Sequence, residues 1–199
     1  MDKVILDRDE KVFFLQVPKT ASTSTFNAFK MYHSDILVNM NCPKRASVLQ
    51  FREILDDFEK YQGYAIVRNP FDQVVSWFAY LIRLHSHVKD PSKYYYDYST
   101  IKRFVDRRII GWDEHIRQSH FITIDKKIPE NLHIFKYEDG FANVIRHMNE
   151  THGYRMTYSF SNKTHQLKKE KVLAFDYMRE NIVKHLQYEF DLLGYSKDL

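Results

Sequence analysis

Apolar residues fall in short continuous runs that alternate along the chain with stretches of helical spacing. The runs have the length and the β-branched or aromatic content of buried strands, and they cover residues 12–17, 63–67, 121–124 and 132–135. The helical stretches cover residues 22–32, 48–61, 70–84, 101–110, 139–150 and 176–193. This alternation predicts an α/β fold, a three-layer, P-loop-like parallel sheet flanked by helices.

Length, apolar content and net charge indicate a globular domain. At 199 residues and 44% apolar content, the chain has the size of a single domain spanning residues 1–199. Its formal net charge of +4 is a mild bias toward anionic partners, without the basic blocks of a nucleic-acid binder. We therefore expect no nucleic-acid partner.

Three features indicate the cellular setting. Cys42 is the only cysteine, so no internal disulfide can form. No apolar run approaches the roughly 20 residues of a membrane span, and residues 1–7 are too charged for a signal peptide. We expect a soluble, cytoplasmic protein with no membrane partner.

The first candidate site follows the run at residues 12–17, which Pro18 ends. Lys19 comes next, then five small residues of which four carry hydroxyls, and then a helical stretch. The free N–H groups and positive dipole end of a helix N-terminus, together with a lysine, favour anion binding. Ordinary helix capping by serine or threonine is the alternative.

A second candidate site lies where residues 63–67 end. Arg68 follows this strand, at the side of an open α/β sheet where ligands bind, and a guanidinium can hold a phosphate with two hydrogen bonds. Asn69 and Pro70 open the next helix, on whose polar face Ser76 lies. A surface ion pair between Arg68 and Asp72 is the alternative.

Both sites resemble motifs of the sulfotransferase superfamily, whose members use PAPS (3′-phosphoadenosine-5′-phosphosulfate). Residues 18–24 resemble its phosphosulfate-binding loop, and Arg68-Asn69-Pro70 with Ser76 eight positions after the arginine resembles its 3′-phosphate motif. Gln73 departs from that motif, since members commonly carry arginine there. Weaker resemblance at residues 117–122, 135–139 and 189–195 points to the carbohydrate-type branch, of which this would be a compact member.

The resemblance implies a function and a set of roles. The chain would be a sulfotransferase moving a sulfuryl group from PAPS, without a metal, to a hydroxyl of a carbohydrate or other acceptor. Arg68 and Ser76 would hold the 3′-phosphate, and Lys19 would also be the electrostatic catalyst. The 5′-phosphosulfate would be held by residues of the loop, namely Lys19, Thr20, Ala21, Ser22, Thr23 and Ser24.

The general base is less well marked. Similar proteins often have a histidine shortly before an Ala-Ser pair, and Lys44 and Arg45 stand there instead. His33 is the only histidine between the first helix and the strand ending at residue 67, and its ordinary pKa suits a base. A helix-end histidine favoured by the dipole is its alternative. Other candidates for the base are His115, His120 and Asp35.

Two other functions stay open. A nucleotide-dependent phosphotransferase would need the glycines of Walker A, and Phe13 and Pro18 occupy those positions. A noncatalytic module that binds PAP (3′-phosphoadenosine-5′-phosphate) or PAPS would keep both phosphate motifs and lack the base.

Overall fold

The computed structural model describes residues 3–39, 45–86, 97–111, 113–157 and 169–198. Cys42 and Lys44 lie outside these ranges. Its residues divide into two compact units, the first within Met1–Arg68 and Gln118–Asn162 and the second within Asn69–Arg117 and Lys163–Leu199. A single domain over residues 1–199 stays a prediction.

The described residues contain five strands and nine α-helices. The strands are β1 (Lys3–Asp7), β2 (Val12–Leu15), β3 (Leu37–Asn39), β4 (Gln62–Val67) and β5 (Leu132–Lys136). The helices are α1 (Ser22–Tyr32), α2 (Val48–Ile54), α3 (Pro70–Ser86), α4 (Tyr98–Phe104), α5 (Gln118–Ile122), α6 (Phe141–His152), α7 (Lys169–Leu173), α8 (Asp176–His185) and α9 (Gln187–Leu193). None of these helices is long and apolar enough to cross a membrane.

The first unit holds one five-stranded sheet of order β3-β1-β2-β4-β5. Strands β2, β4 and β5 are parallel, whereas β1 is antiparallel to both of its neighbours. The α/β prediction is confirmed, and the prediction of a parallel sheet is wrong because the sheet is mixed. The connection of four residues between β1 and β2 is too short for a parallel crossover. The sulfotransferase-like fold stays a prediction.

Helices cover both faces of this sheet, and alternate residues of β2 show how. Phe14 packs against Phe29 of α1, with ring centroids 6.1 Å apart. Phe13, on the opposite face, stacks on Phe51 of α2 at 4.6 Å. The apolar residues of α6 join the core on the Phe14 side. The continuous apolar run of β2 is thus buried on both faces, as its composition predicts.

The second unit is helical, and its core holds apolar residues of α3, α4, α7, α8 and α9. Phe71 of α3 contacts Phe190 of α9, with ring centroids 5.1 Å apart. The π-helical segment Val105–Ile110 continues α4. The predicted helix over residues 176–193 is divided at Leu186, which leaves helical geometry while its side chain stays buried in the core. Gly194 ends α9 with a positive φ of 64°, the left-handed conformation in which glycine commonly ends a helix.

Three other element predictions need correction. The helix at 48–61 ends at Ile54, and a short 3₁₀ turn, Phe58–Lys60, follows. The strand at 121–124 is wrong: α5 occupies Gln118–Ile122, and Ile124 forms an isolated bridge with Lys127. The helix predicted over residues 139–150 begins at Phe141, with Gly140 as its N-cap, and ends at His152. The helices at 22–32 and 70–84 and the strand at 132–135 are confirmed.

Candidate anion-binding site

The carboxyl ends of the three parallel strands bring the predicted loop and Arg68 to one edge of the sheet. The loop of residues 16–21 follows β2, Arg68 follows β4 and Tyr137 follows β5. All three belong to the first unit. Ligands bind outside this edge in open α/β sheets, so it is the place to look for chemistry.

The loop has an unusual backbone. Lys19 and Ala21 adopt left-handed conformations, with φ of 66° and 68°, although neither is glycine. Thr20 between them is buried and donates its hydroxyl proton to the carbonyl of Val17 at 2.9 Å. Left-handed residues in tight turns direct successive N–H groups toward one concavity, which binds anions. Backbone strain of this kind costs about 1 to 3 kcal/mol per residue and is concentrated at functional sites.

Helix α1 begins without a capping side chain. Its N-cap is Ala21, which makes no side-chain hydrogen bond to the first turn, and that turn contains no acidic residue. Ordinary capping by serine or threonine, the alternative to anion binding, is therefore not what the start of α1 shows. Of the hydroxyl residues that follow, Ser22 is half-buried, Thr23 is exposed and Ser24 is buried. The first turn of α1 thus supplies no carboxylate of its own to the positive end of the helix dipole.

Arg68 is half-buried, and its guanidinium lies beside the loop. One Nη donates to the carbonyl of Lys19 at 3.4 Å, which joins two positions 49 residues apart in sequence. The guanidinium also lies over the ring of Tyr137, 4.4 Å from its centroid, in a cation–π contact. Its Nε is buried and has no hydrogen-bond partner among the described residues. A buried donor in this position suits an acceptor such as a phosphate or sulfate oxygen.

Gln118 fixes the backbone of Arg68. Its Oε1 accepts from the Arg68 N–H at 2.7 Å, and its Nε2 donates to the Arg68 carbonyl at 2.6 Å. The side chain is fully buried at the start of α5. The amide thus pairs with Arg68 as a neighbouring strand would, one residue beyond the end of β4.

This donor set fits an anionic group. Lys19 and Arg68 carry positive charge, and the N-terminus of α1 adds the positive end of its dipole. The buried Arg68 Nε is a donor that lacks an acceptor among the described residues. The 5′- and 3′-phosphates of PAPS and PAP have this chemistry.

Ser76 and the residues around it belong to the second unit. Ser76 is half-buried in α3, and Gln73 is fully buried. Asp72 forms an ion pair with Lys169 at 3.1 Å. The role of Ser76 in holding a 3′-phosphate with Arg68 stays a prediction.

The structure does not bring His33 to the loop. His33 lies at the C-terminal end of α1, whose 11 residues separate it from the N-terminus by about 16 Å. Its Nε2 accepts from the backbone N–H of Arg155 at 3.2 Å, and its ring contacts Tyr154. Asp35 follows in the turn after α1 and is exposed. Both residues therefore lie toward the end of α1 that is away from Lys19.

The remaining candidate bases lie elsewhere. His115 is in the second unit, where its ring nitrogen lies 3.2 Å from Asp113. His120 is exposed on α5, the helix that begins at Gln118. A role for His33, His115 or His120 as base stays a prediction.

Sequence reasoning gave Gln118 and Tyr137 no role in the site. Both fall in segments whose family resemblance is weak, at residues 117–122 and 135–139. A buried glutamine and a ring-stacked arginine leave no periodic signal in a sequence, because the contacts span 50 and 69 positions. Tyr137 was detectable only as the residue that follows a predicted strand.

No family model matches this chain, and no curated protein or solved structure matches it significantly. The family resemblance therefore stays a prediction, and function must be argued from the residues at the sheet edge.

Proposed function

We propose that this protein is a sulfotransferase that binds PAPS at the carboxyl edge of its sheet and transfers the sulfuryl group to an acceptor hydroxyl. The observation that carries the proposal is the meeting of the two sequence motifs, with an Arg68 Nη donating to the Lys19 carbonyl at 3.4 Å. Parallel pairing of β2 and β4 brings the ends of the two motifs together. The support for a bound anion comes from what meets there, which is two cationic residues beside a helix N-terminus and a buried Arg68 Nε that has no partner among the described residues.

Different groups of the chain would bind the two ends of PAPS. The N–H groups at the start of α1 and the Lys19 ammonium would hold the 5′-phosphosulfate, and Arg68 would hold the 3′-phosphate. PAPS, when bound, would supply an activated sulfuryl group. This group would bond to the acceptor oxygen as its bond to the phosphate oxygen breaks, and the acceptor hydroxyl would lose its proton to a candidate base or to solvent. Lys19 would stabilise the negative charge that develops on that phosphate oxygen. A carbohydrate is the acceptor that the weaker resemblances favour.

A noncatalytic module that binds PAP or PAPS is the second candidate, and the position of His33 favours it. The residue chosen as base from the sequence lies about 16 Å along α1 from the loop. A chain that kept the phosphate contacts and lost its base would bind the nucleotide without turnover.

The first test is calorimetric titration of the full chain with PAP and with ATP, in chelator. We expect PAP to bind and ATP to bind more weakly, because only PAP carries a 3′-phosphate for Arg68. A preference for ATP in chelator, or in a repeat titration with magnesium in place of chelator, would overturn the proposal in favour of a phosphotransferase.

The second test separates enzyme from binding module. Radiolabelled PAPS is incubated with a panel of oligosaccharides, and label transfer is compared between wild type, Lys19→Ala and Lys30→Ala. We expect transfer by wild type and by Lys30→Ala, whose exposed lysine lies in the last turn of α1, and none by Lys19→Ala. PAP binding with no transfer to any acceptor would support the module.

A further inference from the structure

We infer that Gln118 and Tyr137 are positioning residues that hold the Arg68 guanidinium in place for a 3′-phosphate. The inference rests on the proposed function, since it takes the anion to be that of PAP or PAPS. It follows from two contacts that act on different parts of Arg68: Gln118 binds its backbone, and Tyr137 supports its guanidinium.

The Gln118 contact sets the direction in which the side chain leaves the backbone. A primary amide offers one donor and one acceptor at the spacing of a peptide group, and both of its hydrogen bonds to Arg68 are short, at 2.7 and 2.6 Å. Because Gln118 is fully buried, water does not compete for these bonds. The backbone of Arg68 is therefore held where β4 has already ended.

The Tyr137 contact sets the plane of the guanidinium. A ring face 4.4 Å from the guanidinium carbon supports the ion from one side and leaves the edge formed by Nε and Nη2 for a planar, two-point contact, while Nη1 donates to the Lys19 carbonyl. The buried Nε lies on that edge and has no partner among the described residues. An arginine held in this way loses little side-chain entropy when it binds a phosphate.

The test compares PAP with AMP, which lacks the 3′-phosphate, in calorimetric titrations of the full chain. We expect Gln118→Met and Tyr137→Leu each to weaken PAP binding by about three- to tenfold, which is the cost of immobilising one long side chain. AMP affinity stays unchanged. Tyr137→Phe is the matched control, since it keeps the ring and has wild-type affinity for both ligands.

If Gln118 and Tyr137 only stabilise the fold, their variants will not weaken PAP binding selectively. If the variants weaken PAP and AMP binding equally, or leave PAP binding unchanged, the inference is overturned while the proposed function stands. If wild type does not bind PAP, the proposed function itself fails. Should Gln118→Met not fold, the Tyr137→Leu and Tyr137→Phe pair decides alone, because Tyr137 is only half-buried.

A measurement without ligand tests the contact between Tyr137 and Arg68 independently of the proposed function. Phenylglyoxal modifies arginine side chains, and peptide mass spectrometry reports its rate at Arg68. We expect Tyr137→Leu to raise that rate at least threefold over wild type and Tyr137→Phe. An unchanged rate would show that Tyr137 does not hold the guanidinium, whatever the protein binds.

Discussion

Arg68 illustrates how one side chain can be costly in the free protein and useful in a complex. Its Nε is buried and has no partner in the part of the chain that the structure describes, and leaving such a donor unsatisfied costs about 1 to 3 kcal/mol. An Nη group of the same side chain donates to the Lys19 carbonyl at 3.4 Å. An anion that accepts from the Nε edge would recover this loss.

Replacing Arg68 with alanine tests this at the level of one residue. We expect Arg68→Ala to weaken PAP binding by about 1.5 to 3 kcal/mol, the worth of a hydrogen-bonded contact between charged groups. Arg52→Ala is the matched control, because Arg52 is an exposed arginine of α2 in the same unit. Calorimetry measures both, and equal affinities for the two variants would remove Arg68 from the site.

At the scale of the element, the start of α1 combines backbone strain with a missing cap. Alanine at φ 68° pays a cost that glycine avoids, since its Cβ crowds the following carbonyl oxygen. A sequence under selection for stability alone would place glycine or a capping residue there. The strain fits a loop whose shape serves binding.

Ala21→Gly tests that strain. We expect the free energy of unfolding to rise by about 0.5 to 1 kcal/mol, because relief of the left-handed strain exceeds the added flexibility of the unfolded chain. Ala28→Gly in the middle of α1 is the control and should lower the free energy of unfolding by about 1 kcal/mol. Urea denaturation provides both values, and a loss at Ala21 would contradict the strained geometry.

In strand β4, glycine is needed for a different reason: neighbouring side chains lie too close to Gly63 to leave room for a Cβ. A Cβ on Gly63 would stand 2.7 Å from Cε2 of Phe13 and 2.9 Å from Cδ1 of Leu132. Phe13 has little room to move because it is stacked on Phe51. The hydrogen at this position lets β2 and β5 carry Phe13 and Leu132 at the two positions paired with Gly63.

We therefore expect Gly63→Ala to lower the free energy of unfolding by about 1 to 3 kcal/mol through overpacking. The double variant Gly63→Ala/Phe13→Leu should be less destabilised than the sum of its single substitutions, since a smaller side chain makes room for the methyl group. Additive losses in urea denaturation would mean that Phe13 is not the obstacle.

At the scale of the molecule, the edge of the sheet opposite the anion site carries a cluster of aromatic and titratable groups. The hydroxyl of Tyr64 lies 2.7 Å from Nε2 of His152, and His133 and His147 contact the same tyrosine ring. Nearby, the Tyr154 hydroxyl donates to Asp7 at 2.8 Å, and burial raises the pKa of Tyr154. Burial lowers the pKa of His152 below its ordinary 6.5, and the nearby His147 and His133 add to that effect while Glu10 and Asp7 oppose it.

The lowered pKa of His152 predicts that stability falls with acidity. Below pH 6.5 the unfolded chain binds a proton at His152 that the folded chain resists, so the free energy of unfolding decreases until the lower folded pKa is passed. Urea denaturation between pH 7.5 and 5.5 should show a larger loss for wild type than for His152→Gln. Equal losses would contradict the shift. Asp97, whose pKa hydrogen bonds lower to about 2, titrates in a separate, more acidic range.

The local pattern of the sequence determined much of this protein. Segments whose apolar residues have strand or helix spacing formed β2, β4, β5, α1 and α3. The reason is that each spacing lets only one type of element bury its apolar side chains. The same pattern placed Lys19 and Arg68 after two strands, and those strands proved to be parallel neighbours. Sequence therefore sufficed to predict the α/β class and to place each of these two residues at the end of a strand.

Tertiary structure decided what local pattern leaves open. It made β1 an antiparallel strand, turned residues 118–122 into a helix and divided the last helix at Leu186, since neighbours in space outweighed local preference at each point. It also bound Gln118 and Tyr137 to Arg68 across 50 and 69 positions. It also set His33 at the C-terminal end of α1, because a helix of 11 residues separates its two ends by about 16 Å.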